Sequence, residues 1–254
     1  MKKLVLAACA LLLQGLVHAA DGRDVLMQVS TIDALMNGLY DGELSIGELK
    51  RHGDFGIGTF DALDGEMVVL DGQCYQVRGD GSVHVVDDAR TTPFATVTFF
   101  DEDQTAAFSD VDLAQLQQTL DARLPSENLF YAIRIEGVFK KVRTRSVPAQ
   151  TKPYRPLVEV ARTQPEFEFE NVRGVMVGFR APPFVKGVNV PGYHLHFLTE
   201  DRKAGGHVLE AAIGEVAVIV DHTPDFYMQL PRSRAFQEVD LTKDREAELS
   251  EVEK

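Results

Sequence analysis

The side chains best suited to chemistry are concentrated in Pro191-Gly192-Tyr193-His194-Leu195-His196-Phe197-Leu198-Thr199, followed by Gly205-Gly206-His207. Apolar and polar residues alternate over 193–199, which predicts a strand. Residues two apart on a strand share a face, so His194 and His196 point one way and Leu195 and Phe197 the other. The polar stretch 200–206 ends in Gly-Gly and predicts a reversal into a second strand at His207. Such a hairpin brings a third imidazole beside the first two. Three neutral imidazoles with coordination positions left over form the ligand set of a catalytic divalent metal site.

Other candidates are weaker on their own. His52, His84 and His222 are isolated in sequence, with His222 the nearest to a fourth ligand. Lys140, Lys141, Arg143 and Arg145 form a basic run in an acidic chain, ordinarily a solvated face. Alternation puts Lys141, Arg143 and Arg145 on one side. If that side lines a cleft, an arginine there can hold a substrate carboxylate bidentately, and Arg145 lies nearest the linker between the two halves. Glu66 opens a strand after Asp64-Gly65 and by itself is an ordinary surface carboxylate. Thr59 sits beside Gly56 and Gly58, where a ligand or a neighbouring strand can approach the backbone. Glu246, Glu248, Glu251 and Glu253 belong to a charged tail, normally a solvated end.

The elements that must position these residues are mostly strands. A short helix is expected after Ser30 as N-cap. Ser45-Ile46-Gly47-Glu48 predicts a capping box and a helix ending at Gly53. Asp64-Gly65, Asp71-Gly72 and Gly79-Asp80-Gly81 punctuate a meander over 56–86, and another strand follows Pro93. Val111, Leu113, Leu116, Leu120 and Leu124 mark an amphipathic helix over 110–124. Strands are predicted over 129–135 and 138–147. Three prolines in 148–156 mark a linker, and strands dominate again from Pro165.

The reading is an α+β fold of two β-rich domains. An N-terminal β-rich half (20–147) with helices precedes the linker (148–156). A C-terminal β-rich half (157–240) carries the histidine hairpin. A tail (241–254) completes the chain.

The chain has 254 residues, 44% of them hydrophobic, enough for a substantial core. A net charge of −13 argues against nucleic acid and anionic membrane as partners. Residues 1–19 read as a signal peptide: Lys2-Lys3, a short apolar run, and Val17-His18-Ala19 before the cut. The apolar run is too short to span a bilayer. Export to the periplasm or medium is therefore expected, with no membrane attachment afterwards. Cleavage removes Cys9 and leaves Cys74 alone, so no internal disulfide is available. Cys74 lies in an alternating strand and reads as a buried hydrophobe.

Many of these segments together resemble the α-acetolactate decarboxylase family. The resemblance rests on Ser30-Thr31-Ile32-Asp33-Ala34-Leu35, Gly53-Asp54-Phe55-Gly56-Ile57-Gly58-Thr59 and Leu63-Asp64-Gly65-Glu66-Met67. It continues through Phe130-Tyr131-Ala132, 147–154, Phe167-Glu168-Phe169, 190–197, Thr199-Glu200-Asp201, 205–209 and Gln229-Leu230-Pro231. It implies a homodimeric zinc enzyme, each chain an N-terminal mixed-sheet domain followed by a smaller barrel-like C-terminal β domain, that converts 2-acetolactate to acetoin and carbon dioxide. The implied Zn2+ ligands are His194, His196 and His207. Glu66 and Arg145 match the family's active-site glutamate and arginine, Thr59 a substrate-lining position, and Glu253 a C-terminal glutamate that reaches the metal. Glu251 is the alternative for that last role. The implied chemistry is stabilisation of an enediolate by the metal, followed by stereospecific protonation. On this reading Glu66 and Arg145 come to the hairpin from the N-terminal half, and the tail folds back.

Two other functions compete. A cupin-type oxygenase or isomerase shares His194-x-His196 with Glu200, but Val188 stands where it needs glycine and Phe226 where it needs asparagine. A non-catalytic exported metal-binding module fits the histidines but has no use for Glu66 and Arg145.

Overall fold

The computed structural model describes residues 24–253; the expected signal peptide lies outside them. Strand β1 (Val25–Val29) leads into helix α1 (Ile32–Met36), followed by β2 (Leu44–Ser45) and α2 (Ile46–Leu49). Next come β3 (Phe55–Thr59), β4 (Glu66–Leu70), β5 (Gln73–Val77), β6 (Val83–Val85), β7 (Thr91–Thr92) and β8 (Ala95–Thr98). β9 (Gln104–Ser109), α3 (Leu113–Asp121) and the long β10 (Phe130–Arg145) complete the first part. α4 (Leu157–Ala161), β11 (Glu166–Ala181), β12 (Gly192–Thr199), β13 (Gly205–Thr223) and β14 (Asp225–Gln229) follow, and α5 (Arg234–Glu238) and α6 (Glu246–Val252) close the chain.

Two large sheets result. One has the order β14-β1-β8-β3-β4-β5-β6 and is mixed, because β1 and β14 run parallel while its other pairs are antiparallel. The other contains β10, β11, β12, β13 and β9, all antiparallel, and β10 pairs with both β11 and β13. Phe55, Val68, Phe130, Val177 and Leu198 share one core between the sheets. A second core under α3 holds Leu116, Leu120, Phe139, Phe197 and Ile213. No helix among the described residues is long and apolar enough to cross a membrane.

The loop at 148–156 does not divide the sheets. β9 and β10 precede it but belong to the second sheet, and β14 follows it but belongs to the first. Arg145, at the end of β10, therefore sits in the same sheet as the histidine hairpin. Of the two residues expected to cross over, only Glu66 comes from the other sheet.

Local differences have local causes. The first helix is capped by Thr31, whose Oγ1 accepts from the Ala34 N–H. Ser30 instead ends β1 at φ +64°, its N–H donating to the Gln229 carbonyl. Ser45 caps α2, but the helix stops at Leu49, short of Gly53. The two strands expected over 129–147 are one strand, irregular beside Val138 and Phe139, just past Gly137 at φ +148°. The break in alternation there marks a bulge. Cys74 is fully buried, and burial pushes its thiol up to about 12.

Candidate active site

The hairpin register sets the histidines side by side. His196 lies directly opposite His207, and His207 directly opposite Arg145 on β10. Opposed residues in an antiparallel pair project from the same face. His194, two residues before His196, joins them. Gly206 makes this approach possible: its φ is +138°, and a Cβ there would collide with the Arg145 carbonyl oxygen. Thr144 ties β10 to the turn by donating its hydroxyl to the Gly205 carbonyl at 2.9 Å.

The three imidazole rings stand 4.9–5.4 Å apart, centroid to centroid. One ring nitrogen from each lies within 4.8 Å of the others. His194 Nε2 is 3.1 Å from His207 Nδ1. Two tetrahedral ligands at 2.0–2.1 Å from one ion are separated by about 3.3 Å. His196 Nδ1 faces the Met67 carbonyl at 2.8 Å and donates to it. That bond fixes the ring's orientation and leaves Nε2 as a bare lone pair. The Nε2 atom is buried and has no hydrogen-bond partner among the described residues. Burial holds all three rings neutral, with the Arg145 charge adding to the effect: His194 is pushed down to about 3, and His196 and His207 fall well below the usual imidazole range. Neutral rings, converging nitrogens and a buried unused lone pair fit a divalent metal ion.

Two carboxylates face the rings. Glu66 opens β4, where Gly65 at φ +84° makes the turn; a Cβ there would strike the Val77 carbonyl oxygen. Its Oε2 lies 3.6 Å from His196 Nε2. Glu253 follows α6, with Oε2 3.7 Å from His207 Nε2 and 4.0 Å from His194 Nε2. Leu249 and Val252 seat that helix in an apolar cluster with Ile32, Leu35, Leu157 and Val160. Glu251 points elsewhere, gripping Arg162 through two contacts of 2.7 and 3.2 Å. The tail thus delivers Glu253 to the imidazoles and keeps Glu251 at the surface.

Burial raises both facing carboxyls to about 7, against the opposing pull of Arg145. The Glu253 charge raises Glu66 further, while the Val147 N–H partly relieves it. In the metal-free site a carboxyl so placed exchanges a proton near neutral pH, where general acid–base groups work, and a bound cation would pull it down. Arg145 is 5% exposed, and its Nε has no partner among the described residues. By contrast Lys141 and Arg143, on the same strand, are spent on surface carboxylates of Glu168, Glu166 and Glu210.

Thr59 lies opposite Glu66 on β3 and lines the same cavity. Its hydroxyl donates to the Gly65 carbonyl at 2.7 Å, so it braces the turn that presents Glu66. Leu63, Phe94, Leu157 and Val252 supply apolar wall. His194, His196, His207, Glu66, Arg145, Glu253 and Thr59 all line this one cavity. His222 does not: it contacts Gln104 and Asp103 and packs edge-on against Tyr131. Gln164, also in the cavity wall, drew no attention in sequence because nothing in its neighbourhood patterns it.

The family model for alpha-acetolactate decarboxylase matches residues 26–243. The alpha-acetolactate decarboxylase of Methanosarcina mazei is 53% identical over 232 residues, 91% of this chain and 81% of its own. That of Methylococcus capsulatus is 48% identical, over 89% of this chain and 87% of its own. The crystal structure of the Bacillus subtilis alpha-acetolactate decarboxylase superposes with a TM-score of 0.89 at 41% identity, covering 90% of this chain and 99% of that one. With sequence, fold and cavity in agreement, the chain belongs to the alpha-acetolactate decarboxylase family of carboxy-lyases.

Proposed function

We propose that this enzyme decarboxylates 2-acetolactate to acetoin and carbon dioxide with Zn2+ held by His194, His196 and His207. The observation that carries the reading is the meeting, in one cavity, of three converging imidazoles with an arginine and two carboxyls. Bound there, zinc supplies Lewis-acid polarisation of the substrate's ketone oxygen.

The chain's own residues do the rest. Arg145 offers its buried guanidinium to the substrate carboxylate and orients the bond that breaks. The bond to the carboxylate carbon breaks perpendicular to the ketone plane, its electron pair passes towards the ketone oxygen, and carbon dioxide leaves. The apolar wall of Leu63, Phe94 and Leu157 keeps bulk water from the carbanionic carbon. That carbon then takes a proton from one face, which fixes the acetoin enantiomer. Glu66, or a water it holds, carries the proton while Arg145 positions it. Thr59 keeps Glu66 aimed, and Glu253 balances charge beside His194 and His207.

Export of the mature chain to the periplasm or medium and assembly as a homodimer belong to the same reading. The basic and apolar character of residues 1–19 supports the first. The exposed Phe226 and Tyr227 on the outer strand β14, with exposed Leu230 just past its end, support the second. Division of labour between an N-terminal sheet domain and a C-terminal hairpin domain is kept as the functional description, with β9, β10 and β14 exchanged between them.

The test is direct. Purified protein should form acetoin from racemic acetolactate, lose that activity on exhaustive chelation, and regain it with Zn2+. Full turnover after complete metal removal would sink the metal-dependent part. Zinc binding without acetoin formation would instead favour the storage module.

A further inference from the structure

We infer that Gln164 is a specificity residue, whose side-chain carbonyl accepts a hydrogen bond from the hydroxyl of a 2-hydroxy-3-oxo acid while Arg145 holds the neighbouring carboxylate. The inference rests on the decarboxylase reading above.

Three observations carry it. Gln164 lines the cavity of the histidines, Glu66 and Arg145. Its Oε1 is sealed from solvent yet has no hydrogen-bond partner among the described residues. A buried acceptor left unpaired costs free energy, so such an atom calls for an explanation, and a ligand donor is one. The Arg145 Nε is in the same condition in the same cavity. One atom needs a donor and the other an acceptor. A 2-hydroxy acid carries both on adjacent carbons, a hydroxyl that donates and a carboxylate that accepts.

The backbone places the two residues together. Arg145 lies directly opposite Glu166, two residues beyond Gln164. The next residue on each side is also joined, because the Ser146 N–H donates to the Pro165 carbonyl at 3.2 Å. Gln164 sits in the turn between α4 and β11, where its own N–H is held by the Ala161 carbonyl. The carboxamide is therefore fixed at its base and unspent at its tip. The rest of that wall is apolar, with Leu157, Ala161 and Val147 as its neighbours in the cavity. Among the described residues lining the cavity on the α4 side, Gln164 alone carries an uncharged polar side chain.

The prediction is a coupling between one protein oxygen and one ligand hydroxyl. Inhibition constants for 2-hydroxyisobutyrate and for pivalate, which replaces its hydroxyl with methyl, are measured on the parent and on Gln164→Leu. The preference for the hydroxy acid should shrink by about ten-fold in the variant, through weaker binding of that acid alone. Gln164→Glu, which keeps the acceptor, should retain more of the preference than Gln164→Leu. Metal content of both variants should match the parent, Gln164→Leu should melt no lower than the parent, and with acetolactate it should raise KM more than it lowers kcat. An unchanged preference in Gln164→Leu, or equal weakening of both inhibitors, overturns the inference. Acetoin formation by the parent in the same preparation separates the two levels. Its absence brings down the functional reading and this inference together, whereas its presence with no coupling removes only the role of Gln164.

Discussion

The histidine hairpin and the C-terminal tail each bring groups to the same cavity, by opposite means. His196, His207 and Arg145 sit at matched positions on three hydrogen-bonded strands, so the backbone ladder itself fixes their spacing. Glu253 hangs from a helix of seven residues at the end of the chain. That helix has no side-chain cap and relies on Leu249 and Val252 for its seat. Burying two such side chains is worth about 1.5–3 kcal/mol each. The exposed pairs of Glu251 with Arg162 and Glu246 with Lys186 add little, being screened by water. The ligand set is built into the sheet, whereas the carboxylate from the tail depends on a docking step with a small free energy. Groups that must never move are on strands, and the one that can leave is on the tail.

Experiments can break that contrast. The largest effect is expected from His207→Ala, which removes a ligand from the rigid side. Bound zinc should fall to background by elemental analysis and acetoin formation with it, while the sheet core keeps the protein folded. Deleting residues 246–254 attacks the other side. Zinc should remain bound, but turnover should drop by about 10-fold or more, because the cavity loses the Glu253 charge and its Val252 wall together. If the truncated protein loses zinc as completely as His207→Ala, the tail is part of the metal site and the contrast fails.

A third experiment reads the electrostatics. With its folded value near 7 and an unfolded value near 4.5, Glu66 keeps its proton in the fold after the unfolded chain has lost it. Stability of the metal-free parent contributed by this group is therefore fully present below about 4.5 and declines as pH rises towards 7. Glu66→Gln lacks that decline. Denaturant melts of chelated protein should show the variant gaining on the parent between pH 5 and pH 8, by at most about 3 kcal/mol. A constant difference across that range would contradict the burial of an uncompensated carboxyl. The smallest effect belongs to Arg162→Ala, which should leave melting temperature and turnover unchanged. A marked loss would mean that the surface clasp, and not Leu249 and Val252, holds the tail.

The same contrast decides what could be read in the sequence. Alternation over 193–199 and the Gly-Gly turn were enough to bring His194, His196 and His207 together, because strand geometry is local and periodic. Glu66, Arg145, Thr59 and Glu253 could not be assembled that way. They lie on separate elements whose meeting is a tertiary event, and resemblance to a family stood in for it. β1, with buried Leu26, Met27, Gln28 and Val29, has no alternation to announce it. β9 alternates, but through Thr105, Ala106 and Ala107, too small and weakly apolar to stand out. The division at 148–156 misled because prolines mark a loop, and a loop need not separate sheets. Gln164 left no signal at all, since an unpaired amide oxygen exists only once its surroundings are built.

The parallel pairing of β1 with β14 has a consequence for how the molecule is made. Val25 aligns with Asp225 and Val29 with Gln229, a separation of 200 residues at every rung. A chain emerging from its amino end has the strand that begins the sheet long before the strand that borders it. The sheet cannot be completed on its outer side until synthesis has passed Gln229, and closing so long a loop places that step late and makes it slow. Until then the outer edge of β1, at Leu26 and Met27, waits for its partner strand.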